Sequence, residues 1–109
     1  MKVGLFAIIF LFLSMPVYAE SGWTTYGRVL ELLPDSDFRY RVKIKVSENP
    51  SGCRNDHWFY QDYLSNGSNQ MYATLLEALV HNLKVRVHVN GKCGFKGNSE
   101  ISAINVKAK

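Results

Sequence analysis

Residues 83–94 read LKVRVHVNGKCG, and this stretch decides the fold. Its valines occupy every second position, and successive side chains of a β-strand point to opposite faces. The stretch therefore predicts a strand with a valine face in the core and Lys84, Arg86 and His88 facing outward. Asn90-Gly91 follows the last valine and predicts a tight reversal.

A second alternating stretch, FRYRVKIKV, covers residues 38–46. The predicted core face consists of Phe38, Tyr40, Val42, Ile44 and Val46. The predicted outer face consists of Arg39, Arg41, Lys43 and Lys45. If this strand lies beside the strand of residues 84–89, one sheet face is strongly positive.

The remaining elements are shorter. Three more strands are predicted at Tyr26–Leu33, Asp56–Tyr60 and Glu100–Val106, after a polar lead-in at residues 20–25. Apolar residues at helical spacing predict one helix, Gln70–Asn82, capped by Ser68 or Asn69. The order strand-strand-strand-helix-strand-strand predicts a mainly β domain, a small, partly open barrel of the OB-fold type. An open α+β sheet with the helix on one face is the alternative.

The first 19 residues have the layout of a secretory signal peptide. Lys2 precedes an apolar run, and Val17 and Ala19 supply small residues before the predicted cleavage site. A membrane span needs about 20 apolar residues, and this run is shorter. The expectation is an exported protein, periplasmic or secreted, with no transmembrane segment after removal of residues 1–19. Residues 20–109 then form a single domain.

Two cysteines, Cys53 and Cys93, lie in the mature part of the chain. Secreted proteins fold in an oxidising compartment, where an even cysteine count predicts a disulfide. Neither cysteine has the spacing of a metal site, so no metal and no cofactor are predicted. The mature chain has 12 basic and 9 acidic residues. This balance is too mild to indicate a nucleic-acid partner.

Several segments resemble small exported proteins of Gram-negative bacteria. The matching positions are Cys53, Trp58-Phe59-Tyr60, Asp62, Met71-Tyr72-Ala73, Leu75-Leu76, Ala78, Lys84-Val85, Val87, Val89, Gly91, Cys93, Ile101, Ile104 and Val106. The resemblance implies a single exported domain in such a bacterium. It does not imply any particular activity.

More distantly, the layout is similar to the receptor-binding B subunits of AB5 toxins of the subtilase-cytotoxin and pertussis type. The shared features are a signal peptide, an early tryptophan (Trp23), a disulfide, and a helix leading into a basic valine-rich strand. The resemblance implies an OB-fold, a homopentamer and sialoglycan binding. This chain is shorter and has one cysteine pair, so pentamer and sugar binding are analogies of fold.

Aromatic and basic side chains supply the candidate ligand site. The aromatic set is Trp23, Tyr26, Trp58, Phe59, Tyr60 and Tyr63, and alternation places Trp58 and Tyr60 opposite Phe59. The predicted ligand-binding residues are Trp58, Tyr60, Tyr63, Arg39, Arg41, Lys43, Arg86 and His88. The alternative for the basic residues is a solvated sheet face or a charged edge.

The predicted function is an exported binding module for an acidic glycan, an envelope component or a protein partner. The alternative is a small periplasmic hydrolase or nuclease that uses Asp56, His57 and His88. No nucleophile, base and orienting group stand at a recognisable spacing, so no catalytic residue is predicted.

Overall fold

The computed structural model of the protein describes residues 20–108, which contain six strands and one α-helix. In chain order these are β1 Gly22–Trp23, β2 Gly27–Pro34, β3 Arg39–Ile44, β4 Asn55–Asp62, α1 Ser68–His81, β5 Lys84–Cys93 and β6 Asn98–Lys107, with a 3₁₀ turn at Phe95–Gly97 between β5 and β6. The predicted signal peptide lies outside the described residues.

The strands form a closed barrel. They are ordered β1-β5-β2-β3-β4-β6, and β5 also pairs with β6. The β4–β6 pairing is parallel, and the other pairings are antiparallel. Five strands thus close on themselves, with the helix between β4 and β5, and β1 is added at the edge of β5. This is the predicted OB-type architecture, but closed, because β5 pairs with both β2 and β6.

The barrel interior is formed by the two alternating stretches, as predicted. Every valine of β5 is fully buried, and so are Tyr40, Val42 and Ile44 of β3. Leu75 and Ala78 of α1 pack against this cluster. Burying a Val or Ile side chain stabilises the folded state by about 1.5–3 kcal/mol. The buried residues of β3 and β5 therefore supply much of the folding free energy.

Phe38 is the exception on β3, and its predicted core position is wrong. The side chain is 71 % exposed, and β3 begins one residue later, at Arg39. The backbone of Phe38 has a φ of 52°, in the left-handed region that tight turns use. The Pro34–Asp37 turn therefore extends one residue further than its composition indicates.

The reversal predicted at Asn90-Gly91 is also wrong. β5 continues through this pair to Cys93, and the register against β6 shifts between Val89 and Cys93. Gly91 has a φ of 90°, so it supplies the conformation of a bulge within the strand. The chain reverses at Phe95–Gly97.

Two further local predictions differ from the structure. Helix α1 begins after Gly67, whose φ is 77°, and no side chain caps it, although Ser68 or Asn69 was expected to. The polar lead-in contains a short strand, because Gly22 and Trp23 pair with Val89 and His88 of β5.

A buried polar network links four elements across the core. The Tyr40 hydroxyl donates to Oε1 of Gln61 at 2.8 Å. The Gln61 amide donates to the Met71 sulfur at 3.2 Å and to the Ile101 carbonyl at 3.3 Å. Burial raises the pKa of Tyr40 above its usual range. The network therefore satisfies the polar atoms that closure of the barrel removes from water.

The predicted disulfide is confirmed. Cys53 and Cys93 are bonded, with their Cα atoms 5.3 Å apart. The bridge connects the β3–β4 loop to the end of β5. Beside it, the Ser51 and Ser99 hydroxyls are 2.7 Å apart in a buried hydrogen bond. No helix within residues 20–108 is long and apolar enough to cross a membrane.

We expect replacement of both Cys53 and Cys93 by alanine to lower the free energy of unfolding by about 4 kcal/mol, because the bridge closes a long loop in the unfolded chain. Urea denaturation measures this loss, and the circular dichroism spectrum of the folded variant is the control. Native protein should contain no titratable thiol. An unchanged denaturation midpoint in the variant would contradict the expectation.

Candidate functional site

Strand order divides the predicted basic residues into two separate sets. β2 lies between β3 and β5, so the two basic stripes do not form one continuous face. The first set, here the β3–β4 stack, comprises Arg39, Arg41, Lys43, Trp58 and Phe95. The second set, here the Arg86 site, comprises Trp23, Tyr26, Arg86 and His88.

In the β3–β4 stack, cations alternate with aromatic rings. The guanidinium carbon of Arg39 lies 4.2 Å from the ring centroid of Phe95. That of Arg41 lies 5.8 Å from the Trp58 centroid and 5.4 Å from the Phe95 centroid. The Lys43 ammonium is 6.0 Å from Trp58. Phe95 comes from the β5–β6 loop, so the stack fastens this loop onto the sheet.

Each cation of the β3–β4 stack also faces a carboxylate. The nitrogen–oxygen distances are 3.7 Å for Arg39–Asp62, 3.3 Å for Arg41–Asp35 and 3.9 Å for Lys43–Glu31. These acids neutralise the positive charge that the sequence of β3 suggests. Ligand binding by Arg39, Arg41 and Lys43 stays a prediction, and an anion there would compete with these acids.

Tyr60 and Tyr63 differ in exposure, because Tyr60 is buried and Tyr63 is 37 % exposed. Tyr60 is only 6 % exposed because the β5–β6 loop covers it. A Cβ atom at Gly94 would lie 1.9 Å from the Tyr60 hydroxyl, so glycine is required for this close approach. The Tyr63 hydroxyl donates to the Asp35 carbonyl at 2.7 Å and connects two loops.

The Arg86 site holds a guanidinium between two aromatic side chains. The guanidinium carbon of Arg86 is 4.6 Å from the Trp23 ring centroid and 5.2 Å from that of Tyr26. Trp23 is placed there by the pairing of β1 with β5. Arg86 Nε is buried and has no hydrogen-bond partner among the described residues. Within residues 20–108, no carboxylate oxygen lies within 4.0 Å of the guanidinium nitrogens of Arg86.

His88 borders the Arg86 site and contacts Ser102. Its ring packs edge-on against Trp23 with centroids 5.3 Å apart. The Ser102 hydroxyl donates to the His88 carbonyl at 3.1 Å, and His88 Nδ1 is 2.7 Å from the same Oγ. Since the hydroxyl has one proton, Nδ1 is the donor in the second bond.

The residues of the hydrolase alternative are not brought together by strand pairing. Asp56 and His57 form a pair at 2.9 Å on β4. His88 lies on β5, and β6 runs between the two strands. Across the described part of the chain, no three His, Cys, Asp or Glu residues are grouped closely enough to hold a metal ion.

Comparison with protein-family models, with curated proteins and with solved structures finds no match to this chain. The resemblance to AB5 B subunits thus stays an expectation. The Arg86 site rests on its geometry alone. Of its residues, Arg86 and His88 were predicted as ligand-binding. Trp23 and Tyr26 were noted only as aromatic residues, because their distance from Arg86 depends on strand pairing.

The candidate residue Tyr60 has a pH-dependent contribution to stability. Burial, together with the nearby Glu100 carboxylate, raises the pKa of Tyr60 from 10.0 to about 12. A raised pKa means that the folded state favours the protonated phenol. Its contribution is fully present below pH 10 and is lost as the pH rises through about 12.

Tyr60→Phe should therefore flatten the alkaline limb of the stability curve. Thermal melting of the wild type and of Tyr60→Phe between pH 9 and pH 12 measures the difference. We expect the melting temperature of the wild type to fall more steeply in this range, because the phenylalanine has no proton to lose. Parallel curves for the two proteins would refute the assignment.

Proposed function

We propose that this protein is an exported binding module that recognises an acidic glycan at the Arg86 site. The observation that carries the proposal is the Arg86 guanidinium, which lies between Trp23 and Tyr26 with its Nε buried and unpaired. Arg86 as a residue is half-buried and has no carboxylate partner within residues 20–108, so its remaining N–H donors are the ones that an anionic ligand group would contact.

The chemistry of arginine favours a carboxylate or a sulfate as the recognised group. A guanidinium presents its N–H donors in a rigid fork that matches two oxygens of one anion. Contact with two rings restricts the rotamers of Arg86 before the ligand arrives. Less side-chain entropy is then lost on binding.

The exposed part of Trp23 supports a sugar as the body of the ligand. Trp23 is 41 % exposed, so part of its indole remains available beside the guanidinium. Aromatic rings with one solvent-exposed face pack against the apolar faces of sugars, and they also supply contact area in protein–protein interfaces. A guanidinium that donates hydrogen bonds to an anion lies beside an exposed aromatic ring. This pair of groups matches an acidic sugar better than it matches a simple inorganic ion.

The proposed location is the periplasm or the exterior of a Gram-negative cell. The Cys53–Cys93 disulfide is typical of an oxidising compartment, and the predicted signal peptide agrees with it. Acidic glycans are components of bacterial and host cell surfaces, so a ligand of this class is accessible to an exported protein. The hydrolase alternative lacks a comparable supporting observation, because Asp56–His57 and His88 lie on separate strands.

A glycan array with acidic glycans and their neutral counterparts tests the proposal, followed by calorimetric titration of sialyllactose and lactose. We expect binding of acidic glycans only. Arg86→Gln and Trp23→Ala should each weaken binding by about tenfold or more, since each removes a direct contact. Lys92→Gln is the matched control, because it removes one exposed positive charge away from the site. Equal binding of sialyllactose and lactose, or no binding of either class, would overturn the proposal.

The AB5 resemblance adds a homopentamer and a protein partner to the proposal. The solution mass of the mature protein by light scattering tests the oligomer. A mass of five chains is expected if the B-subunit analogy extends to assembly. The mass of a monomer would refute the homopentamer. Glycan binding at the Arg86 site would still be tested separately by the titrations above.

A further inference from the structure

A row of like charges crosses three strands next to the Arg86 site. Arg28 of β2 is paired with Lys84 of β5, and Lys84 is paired with Lys107 of β6. Residues directly opposite each other in antiparallel strands present their side chains on the same face. Arg28, Lys84 and Lys107, here the cationic row, are all exposed. Within residues 20–108, no carboxylate oxygen lies within 4.0 Å of any of them.

Two cations of β3 have cross-strand neighbours of the opposite charge. Lys43 is paired in register with Glu31, and Arg39 with Asp62, so base faces acid across the strands. In the cationic row, base faces base. Like charges directly opposite each other destabilise a sheet, whereas opposite charges stabilise it. The contrast points to a negative charge that residues 20–108 do not supply.

The cationic row and the Arg86 site form one surface. Lys84 and Arg86 are two positions apart on the same face of β5, which is about 7 Å along a strand. The Lys107 ammonium is 4.1 Å from the ring centroid of Tyr26, the ring that also contacts Arg86. The row is therefore adjacent to any group that binds at Arg86.

We infer that the cationic row is a second anion subsite, and that the ligand is a multiply charged glycan carrying sulfate or phosphate half-esters. This inference rests on the proposed function and specifies its ligand class. One anionic group binds Arg86, and a second group, about 7 Å away, lies among Arg28, Lys84 and Lys107. A glycan with a single carboxylate occupies only the first subsite.

The aromatic side chains favour a glycan over a single-stranded nucleic acid. Nucleic-acid binders of this kind stack successive bases on free aromatic faces. Here Tyr26 contacts both Arg86 and Lys107, which leaves the partly exposed Trp23 as a single ring beside the row. No series of free rings follows the cationic row among the described residues.

Calorimetric titration with three probes tests the inference. The probes are a sulfated heparin-derived tetrasaccharide, the same tetrasaccharide after desulfation, which keeps its carboxylates, and an oligothymidylate of equal charge. The wild type should bind the sulfated probe most tightly. Lys84→Gln/Lys107→Gln should weaken that binding by about tenfold per lysine removed and leave binding of the desulfated probe unchanged. Arg86→Gln should weaken binding of both tetrasaccharides.

The control variant is Lys92→Gln/Lys96→Gln, which removes two exposed lysines outside the surface and should bind all probes as the wild type does. Thermal melting separates a binding role of the row from a structural one. Lys84→Gln should melt at the same or a higher temperature than the wild type at low salt, because it relieves repulsion. A lower melting temperature would indicate that Lys84 supports the fold.

The outcomes distinguish this inference from the proposed function. Equal binding of the sulfated and desulfated probes by the wild type, or unchanged binding by the double variant, would overturn the second subsite alone. Failure of the wild type to bind any acidic glycan would overturn the proposed function and the inference together. Oligothymidylate binding as tight as that of the sulfated probe would overturn the glycan as the ligand class.

Discussion

Closure of the sheet is the constraint on which the rest of the structure depends. β6 pairs in parallel with β4 and antiparallel with β5, and β5 returns to β2. The interior of so small a barrel is filled by one set of inward side chains from each strand. Every charged residue of the alternating strands must then point outward. The register of closure decides which of these charges become neighbours, and so it creates both the β3–β4 stack and the cationic row.

The local parts of this structure could be predicted from the sequence. The valine alternation of β5, the alternation of β3 from Tyr40 onward and the helical spacing before His81 depend on neighbours two to four positions away. The disulfide was predicted from an even cysteine count in a chain that was expected to be exported, and it is present. These features depend on side-chain period and compartment, which a sequence carries directly.

The errors have a common physical origin in tertiary contacts that override local signals. Asn90-Gly91 has turn chemistry, but β6 pairs with β5 beyond it and converts the pair into part of a bulge. Gly22–Trp23 becomes a strand only because β5 offers it a free edge. Tertiary pairing also determines the surroundings of the candidate site residues. Arg39, Arg41 and Lys43 were predicted to bind a ligand, yet acids on neighbouring strands and loops pair with them. Arg28 and Lys107 were not singled out, because their proximity to Lys84 follows from strand order alone.

The distribution of outward charge also bears on where this fold places its stability. At one end of the barrel, the disulfide, the Tyr60–Gly94 contact and the ion-paired β3–β4 stack hold the loops together. Along β5 and its neighbours, the chain keeps a like-charged row and a buried, unpaired Arg86 Nε, both of which lower stability. Proteins tolerate such local costs at sites that need them for binding, provided that the remaining structure offsets them. A loop closed by a disulfide contributes about 4 kcal/mol, which is of the same order as the combined cost of the row and the unpaired nitrogen. The covalent bridge therefore offsets the cost of the like-charged row and of the unpaired nitrogen in a domain this small.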